Sequence, residues 1–570
     1  MKKRAWIIMV AFAMVTALAF TPAWSSKKVD LDDKALRFDP RAGEKFSVTL
    51  DGQPLKITKY TVVYVANPIA MEGADPYAYQ KMNIYVPKTA AHDQKTAIIL
   101  AVNNSGWLAS AVKTSIVDGG VYVSSSNTDK VGAALAAGYV FVDVGTRSRG
   151  LLALDDTYPG KAPAVVVDAK AAIRYLRLND ALIPGSSERI VITGTSGGGG
   201  LSTAVAASGN SPDYYPYLKE IGAAGIDASG KSTLRDDVFA VIAYCPITDF
   251  GQADIAYEWQ YNNIRQVGDD LVGPAGFIPW YTPKLTQEMM DASIALKSWY
   301  PAYLYSLGLV LEDGTPLTAA TMPNAIVALA KASVEKALAA GVDVPDLGGT
   351  WTLQTGPLPP QVYVNNWLDI NAAGNAVANI DYEEFLKFVV ATAPLKGAPS
   401  FDVTGSMGVT SLGSGESNLF GSDAIEYSNF MEWAWNNNNV PDDGSGADDT
   451  HMTWDQYFPG SEIKKQIKMI NPIAYLIDNR DGDSAPYWYV RHGLRDRDTS
   501  FAVEVTLFYA IENDPTVLDA NFALAYIQGH GGDYDVQEAY AWLAEVLAEK
   551  HHGKHKWPRN PWPHWGDPHD

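Results

Sequence analysis

The sequence predicts an α/β protein with a mostly parallel central sheet and one large insertion. Three observations carry this. Short apolar runs alternate with helix-patterned stretches up to residue 249. The alternation stops over 250–465, where Tyr, Trp, Asn, Gly and Pro are dense, and it resumes near Ile467. One apolar run, Arg189-Ile190-Val191-Ile192-Thr193, feeds into Gly194-Thr195-Ser196-Gly197-Gly198-Gly199-Gly200 and then into small helix formers, a strand–turn–helix junction.

The elements follow in order. Met1-Lys2-Lys3-Arg4, the apolar run 5–20 and the small residues around Ala23 and Ser25 read as a cleaved signal peptide over 1–25, hence a periplasmic or secreted protein. There is no cysteine near the cleavage point for a lipid anchor and no second long apolar segment to serve as a membrane anchor. Stretches 46–68 and 81–87 read as antiparallel strands, and 96–103 and 140–144 as central ones. The Ala169, Ala172, Ile173, Leu176 spacing predicts a helix over 165–178. The junction strand comes next, then a strand over 238–244.

These elements make the first part of the core, 26–249. Residues 250–465 are read as an inserted lid domain with helical patches such as 325–340. The loop Asp442-Asp443-Gly444-Ser445-Gly446-Ala447-Asp448-Asp449 misses the spacing of a calcium loop and reads as solvated. The second part of the core, 466–550, holds a strand over 486–490, a helix over 501–511, a strand over 522–527 and a helix over 536–549. The tail 551–570, with His551, His552 and His555, has no periodicity.

Composition narrows the function classes. The formal net charge is −21, and removing Lys2, Lys3 and Arg4 brings it to −24 (−21 minus 3). Such a chain is a poor partner for nucleic acid or anionic lipid. Its single cysteine, Cys245, lies in a strand-like run and reads as a buried, inert thiol. Without an internal disulfide, stability must come from a large core, which 47% hydrophobic residues can supply.

Gly194-Thr195-Ser196-Gly197-Gly198 fits G-x-S-x-G in the setting that motif needs, the nucleophile elbow of the α/β-hydrolase fold. The bend forces the serine into a strained conformation, so its neighbours must lack clashing side chains. It also leaves the Gly197 N–H at a helix start to face an oxyanion. No Lys follows the glycines as in a phosphate-binding loop.

A serine hydroxyl needs a base, and the base needs an orienting carboxylate, in the chain order serine, acid, histidine. After the elbow and outside the insertion and tail, only His492 and His530 remain. His530, flanked by Gly529 and Gly531 between a strand and a helix, is the better base, because Asp496 and Asp498 precede it at the end of the previous strand. The spacing alone leaves those two acids undecided. A second oxyanion donor is expected from Ser105 or Gly106, in the loop that ends the 96–103 strand. This chemistry needs no metal and no cofactor.

Several separated motifs closely resemble the bacterial subtype B tannases. They are the elbow through Ser202; Gly209-Asn210-Ser211-Pro212-Asp213-Tyr214; Tyr217-Leu218-Lys219-Glu220-Ile221-Gly222-Ala223; Cys245-Pro246-Ile247-Thr248-Asp249 with Ala256-Tyr257-Glu258-Trp259; Arg491-His492-Gly493 with Asp496-Arg497-Asp498-Thr499; and His530 with Gly532-Asp533-Tyr534-Asp535. The resemblance implies a serine esterase that hydrolyses galloyl esters and depsides of hydrolysable tannins and releases gallate through an acyl-enzyme. It assigns Ser196, Asp496 and His530 as catalytic, and Lys396, Glu416 and Asp498 as the groups that hold the galloyl hydroxyls. The stretch between Lys396 and Glu416 is longer than the family pattern. The alternative is a broader carboxylesterase or feruloyl esterase with the same three catalytic residues. The partner expected is a small-molecule galloyl ester.

Overall fold

A computed structural model describes residues 31–272, 283–354, 359–402, 415–438, 446–477 and 482–548. The expected signal peptide over 1–25, residues 442–445 of the acidic loop and the tail 551–570 lie outside the described residues.

Ten strands form the central sheet: β1 (Glu44–Leu50), β2 (Gln53–Val63), β3 (Lys81–Pro87), β4 (Ile98–Val102), β5 (Val121–Tyr122), β6 (Val140–Val144), β7 (Ile190–Thr195), β8 (Ala240–Tyr244), and, after β9 (Thr350–Leu353), β10 (Gln361–Val364), β11 (Leu368–Ile370) and β12 (Val377–Ile380) in the intervening chain, β13 (Tyr487–Gly493) and β14 (Asp519–Ala525). Their order is β14-β13-β8-β7-β4-β6-β3-β2-β1-β5. From β6 to β14 every neighbour is parallel, whereas β1, β2 and β3 add antiparallel strands at the other edge.

The central strands are short and apolar because both faces are covered. Ile98, Leu100 and Val102 of β4 point into one core with Val140, Val142, Ile190 and Ile192. Ile99 and Ala101 point into the other with Phe141, Val191 and Ile242. This is the period-2 alternation of a strand. The helix Ala164–Leu178 fills the first face and is buried through Leu176, so its polar side chains must be paired. Arg147 meets Asp168 at 2.8 Å, while Lys170 and Arg174 share Asp236 at 2.9 Å each. The helix Val536–Ala548 covers the second face with Trp542 and Leu543.

Three boundaries differ from the sequence reading. Stretch 46–68 is a hairpin that turns at Asp51 and Gly52, both with positive φ (49° and 76°), and its second strand stops at Val63. The last strand begins at Asp519 and ends at Ala525, because Ile527 takes φ 56° and turns the chain out of the sheet. Finally, the α/β rhythm continues one element past Asp249, into the helix Phe250–Tyr261.

Between that helix and β13 the chain adds the helices Gln287–Lys297, Met322–Ala339 and Tyr382–Thr392, and two hairpins, β9–β10 and β11–β12. Met322–Ala339 packs on β14 and on the helix Phe501–Asn513, so this segment shares the main core.

Candidate active site

The elbow follows from close backbone approach. Ser196 sits at φ 61°, ψ −123°, and its N–H donates to the Tyr244 carbonyl at 2.9 Å as β7 ends beside β8. The glycines around it leave no room for a methyl. A Cβ on Gly199 would lie 2.6 Å from the Tyr244 oxygen, and one on Gly200 2.2 Å from the Ile247 oxygen. One on Gly197 would stand 2.1 Å from the Trp107 nitrogen, so the elbow rests directly on the turn that follows β4.

The turns after β13 and β14 bring the other two groups to Ser196. The Asp496 carboxylate (Oδ2) accepts from His530 Nδ1 at 2.8 Å, which leaves Nε2 as the lone-pair nitrogen, 2.8 Å from Ser196 Oγ. Gly493 lets the end of β13 run against the 528–529 turn, since a Cβ there would be 2.5 Å from both carbonyls. Gly532 similarly seats the histidine turn on Thr195 of the elbow. Cys245 lies behind this turn and its Sγ–H donates to the Gly531 carbonyl at 2.9 Å. Burial pushes that thiol well above its usual range, so it is not a nucleophile.

Asp496 has no solvent exposure, and burial alone would raise its pKa. The hydrogen-bonded imidazole of His530 outweighs burial and holds the carboxyl well below the usual range, so it stays ionised. Asp498 does not reach the imidazole as well: its Oδ2 is 3.7 Å from His530 Nδ1, and its carboxylate pairs with Arg497. Its backbone N–H donates to Asp496 Oδ1 at 2.8 Å, and so holds the orienting acid in place.

His492 faces Asp496 from the other side, with Nδ1 3.6 Å from Asp496 Oδ2 and 3.6 Å from Glu504 Oε1. All three side chains are fully buried. Burial lowers the pKa of His492 and raises that of Glu504 well above its usual value, which favours the neutral form of each. Glu504 was not among the residues the sequence singled out. It lies in an apolar helix, where a buried acid has no local signature.

In the turn after β4, the Ser105 N–H donates to Asn103 at 3.0 Å, the Trp107 N–H to Asn104 at 2.9 Å and the Leu108 N–H to Ser105 at 3.1 Å. Ser105 is therefore committed within the turn, and the expectation narrows to Gly106, at φ 58°, ψ 26°. Gly197 offers the first N–H of the helix Gly197–Ala207, which has no intrahelical acceptor.

Glu416 is buried and Lys396 half-buried. Lys396 Nζ lies 3.8 Å over the Phe401 ring, and burial lowers its pKa to about 8, with Glu416 working the other way. The helix Phe250–Tyr261 positions this lysine. Asp254 accepts the N–H groups of Phe401 (2.8 Å) and Asp402 (3.0 Å), and Tyr257 Oη accepts the Lys396 N–H (3.3 Å). Glu258 holds Arg265, which donates to the Lys396 carbonyl at 2.7 Å. From sequence this helix carries only the Ala256-Tyr257-Glu258-Trp259 motif, with no role attached.

Cys245, Asp496 and His530 place three potential ligand atoms within 4.8 Å of one another. Both imidazole nitrogens already face Asp496 and Ser196, so an ion there would dismantle the hydrogen-bonded chain.

A family model described as BD-FAE matches residues 82–286. Among solved structures, the tannin acyl hydrolase from Lactobacillus plantarum is 29% identical with a TM-score of 0.71, over 90% of this chain and 99% of that one. The Fusobacterium nucleatum tannase is 31% identical with a TM-score of 0.71 over the same shares. A tannin acyl hydrolase in complex with ethyl gallate is 29% identical with a TM-score of 0.70, again over 90% and 99%. Comparison with curated proteins gives no match. Likeness at 31% identity over nearly the whole of a relative, on a shared fold, decides the assignment: the chain belongs to the tannase family of α/β-hydrolases and is a carboxylic ester hydrolase.

Proposed function

We propose that the enzyme hydrolyses galloyl ester and depside bonds through a galloyl-serine intermediate. The observation that carries the reading is the imidazole of His530 held between Ser196 Oγ and Asp496 at 2.8 Å on each side. His530 Nε2 takes the Ser196 proton as Oγ attacks the ester carbonyl. The resulting oxyanion lies toward the Gly197 and Gly106 N–H groups. Collapse expels the alcohol, which takes the proton from His530. Water then repeats the sequence on the acyl-enzyme and releases gallate.

Specificity rests on Lys396, Glu416 and Asp498. Phenolic O–H groups donate to carboxylates, and an ammonium complements their oxygens. A methoxylated cinnamoyl or plain alkyl acyl group leaves those polar groups unpaired, which costs more than the mere loss of a contact. The ethyl gallate held by a solved relative agrees with an acyl pocket of this kind. Initial rates on methyl gallate, methyl ferulate and 4-nitrophenyl acetate test the reading. Methyl gallate should have the highest kcat/KM, and a clear lead for the ferulate or acetate would transfer the enzyme to the feruloyl esterase or general carboxylesterase class. In the same assay Asp498→Ala should lower kcat/KM on methyl gallate about a hundredfold, from lost polar contacts to the acyl group, and leave the acetate nearly unaffected. Equal losses on both esters would mark Asp498 as structural.

Lys396 adds a pH dependence. With its pKa lowered to about 8, the ammonium is present below that pH and lost above it. KM for methyl gallate should therefore rise as the pH passes about 8, with no such step for 4-nitrophenyl acetate. Lys396→Met should show a raised KM at every pH and no step. A step that persists in this variant would belong to another group.

A further inference from the structure

Arg149 leaves the loop after β6, and its buried guanidinium joins two parts of the site that are far apart in sequence. Nε donates to the Gly106 carbonyl at 2.7 Å and Nη1 to the Gly415 carbonyl at 3.1 Å. Nη2 lies 3.8 Å from Glu416 Oε1, with only 8% of the arginine side chain exposed. The next residue reinforces the contact, as the Gly150 N–H donates to Asn418 Oδ1 at 2.7 Å. One planar cation thus touches both the turn that bears the Gly106 amide and the turn that bears Glu416.

We propose that Arg149 is a positioning residue that couples the oxyanion turn to the acyl-group pocket, so that a phenol held by Glu416 and the alignment of the Gly106 N–H become one event. The proposal rests on the galloyl-ester reading above. Gly106 sits in the left-handed region, and a glycine leaves that region at little cost, so the direction of its N–H is not self-enforcing. The arginine bond to its carbonyl fixes the following peptide plane, while the Trp107 N–H closes the turn on Asn104 at 2.9 Å. Because the guanidinium nitrogens are coplanar, a shift of the Gly415–Glu416 turn tilts the Nε donor as well. The surroundings are dry, so these charge-assisted contacts act with little screening.

The test compares wild type, Arg149→Met and Arg149→Lys on methyl gallate and 4-nitrophenyl acetate, with kcat and KM measured separately and the thermal midpoint recorded. Arg149→Met should lower kcat about a hundredfold on both esters, as for a lost oxyanion donor. It should also cut the preference for methyl gallate by about a further tenfold through KM, because the acyl-pocket acid loses its registry. Arg149→Lys, a point donor without the planar fork, should bring kcat on the acetate back to within about tenfold of wild type, and the galloyl preference should stay low. The proposal is overturned if Arg149→Met keeps wild-type kcat and KM on both esters. It is equally overturned if both variants lose activity on the two esters alike, in step with a lowered thermal midpoint, for that is a purely structural brace. If the wild type fails to turn over methyl gallate but Arg149→Met still slows the acetate, the galloyl reading is wrong and the arginine's hold on the oxyanion turn stands.

Discussion

Ser196→Ala lowers kcat on methyl gallate by about a million-fold, the loss that follows when a serine nucleophile held by its base is removed. The size comes from how completely the site depends on one atom. His530 Nε2 is already aimed at Oγ at 2.8 Å, and Cys245, whose thiol lies at this turn, is raised out of its reactive range by burial and donates to the Gly531 carbonyl. No second group inherits the attack. What survives is the residual acceleration from binding and from the proposed Gly197 and Gly106 donors, on the order of a thousandfold over water. The substitution removes one oxygen from a residue that is 9% exposed and keeps its Cβ, so the fold and the thermal midpoint should be unaffected. Retention of more than a few per cent of wild-type turnover would remove Ser196 from its role.

Asp496→Asn should cost about ten-thousandfold in kcat with little change in KM. The carboxylate only accepts, and that forces the His530 proton onto Nδ1 and leaves Nε2 basic. An amide can present its NH2 to Nδ1 instead, which places the proton on the nitrogen that should receive one from serine. The substitution also deletes the negative charge that balances the imidazolium formed during attack. Asp496 is fully buried, and the charge it supplies is not replaced by bulk solvent. Asp498 cannot take over, because its nearer oxygen is 3.7 Å from Nδ1 and its carboxylate is paired with Arg497. A pH–rate profile gives the second readout: the wild-type plateau at neutral pH should give way to a rate that climbs with pH. A loss of less than tenfold, or an unchanged profile, would mean that the imidazole is oriented by something else.

The parts of this site that were legible in sequence are those whose chemistry imposes a local pattern. A strained bend needs glycines around its serine, and a base that swings over a sheet edge needs glycines beside it, so Ser196 and His530 stood out. Chain order then eliminated His492, and the structure shows why two histidines compete on paper: both touch Asp496, one at 2.8 Å with its ring shared by serine and one at 3.6 Å with its ring buried against Glu504. Which of Asp496 and Asp498 orients the base was not decided by spacing, since it depends on how tightly the turn after β13 closes. Ser105 and Gly106 were likewise inseparable until the turn's own hydrogen bonds had claimed the Ser105 N–H. Asp254 and Glu258 are harder still. Neither carries a local signature in sequence, yet both are buried as acceptors, Asp254 for the turn after Lys396 and Glu258 for the Arg265 that holds the Lys396 carbonyl. Arg149 belongs with them, because a side chain that bridges residues 106 and 416 leaves no trace in either neighbourhood.

The strand boundaries tell the same story. Tyr526 and Ile527 continue an apolar strand pattern, but Ile527 takes a positive φ so that the chain can leave the sheet and deliver His530. Apolar periodicity reports which side chains are wanted in the core. It says nothing about where the backbone must turn to meet a residue more than three hundred positions away.

The galloyl-esterase reading requires a galloyl group to pass through the hydroxyl of Ser196. Its most direct test is to quench the reaction with methyl gallate in acid during the first turnover and map the peptides by mass. One added galloyl group is expected on the peptide that contains Ser196, appearing with the burst of methanol and absent from Ser196→Ala. A burst of methanol with no acylated peptide, or with the galloyl group on any other residue, would contradict it.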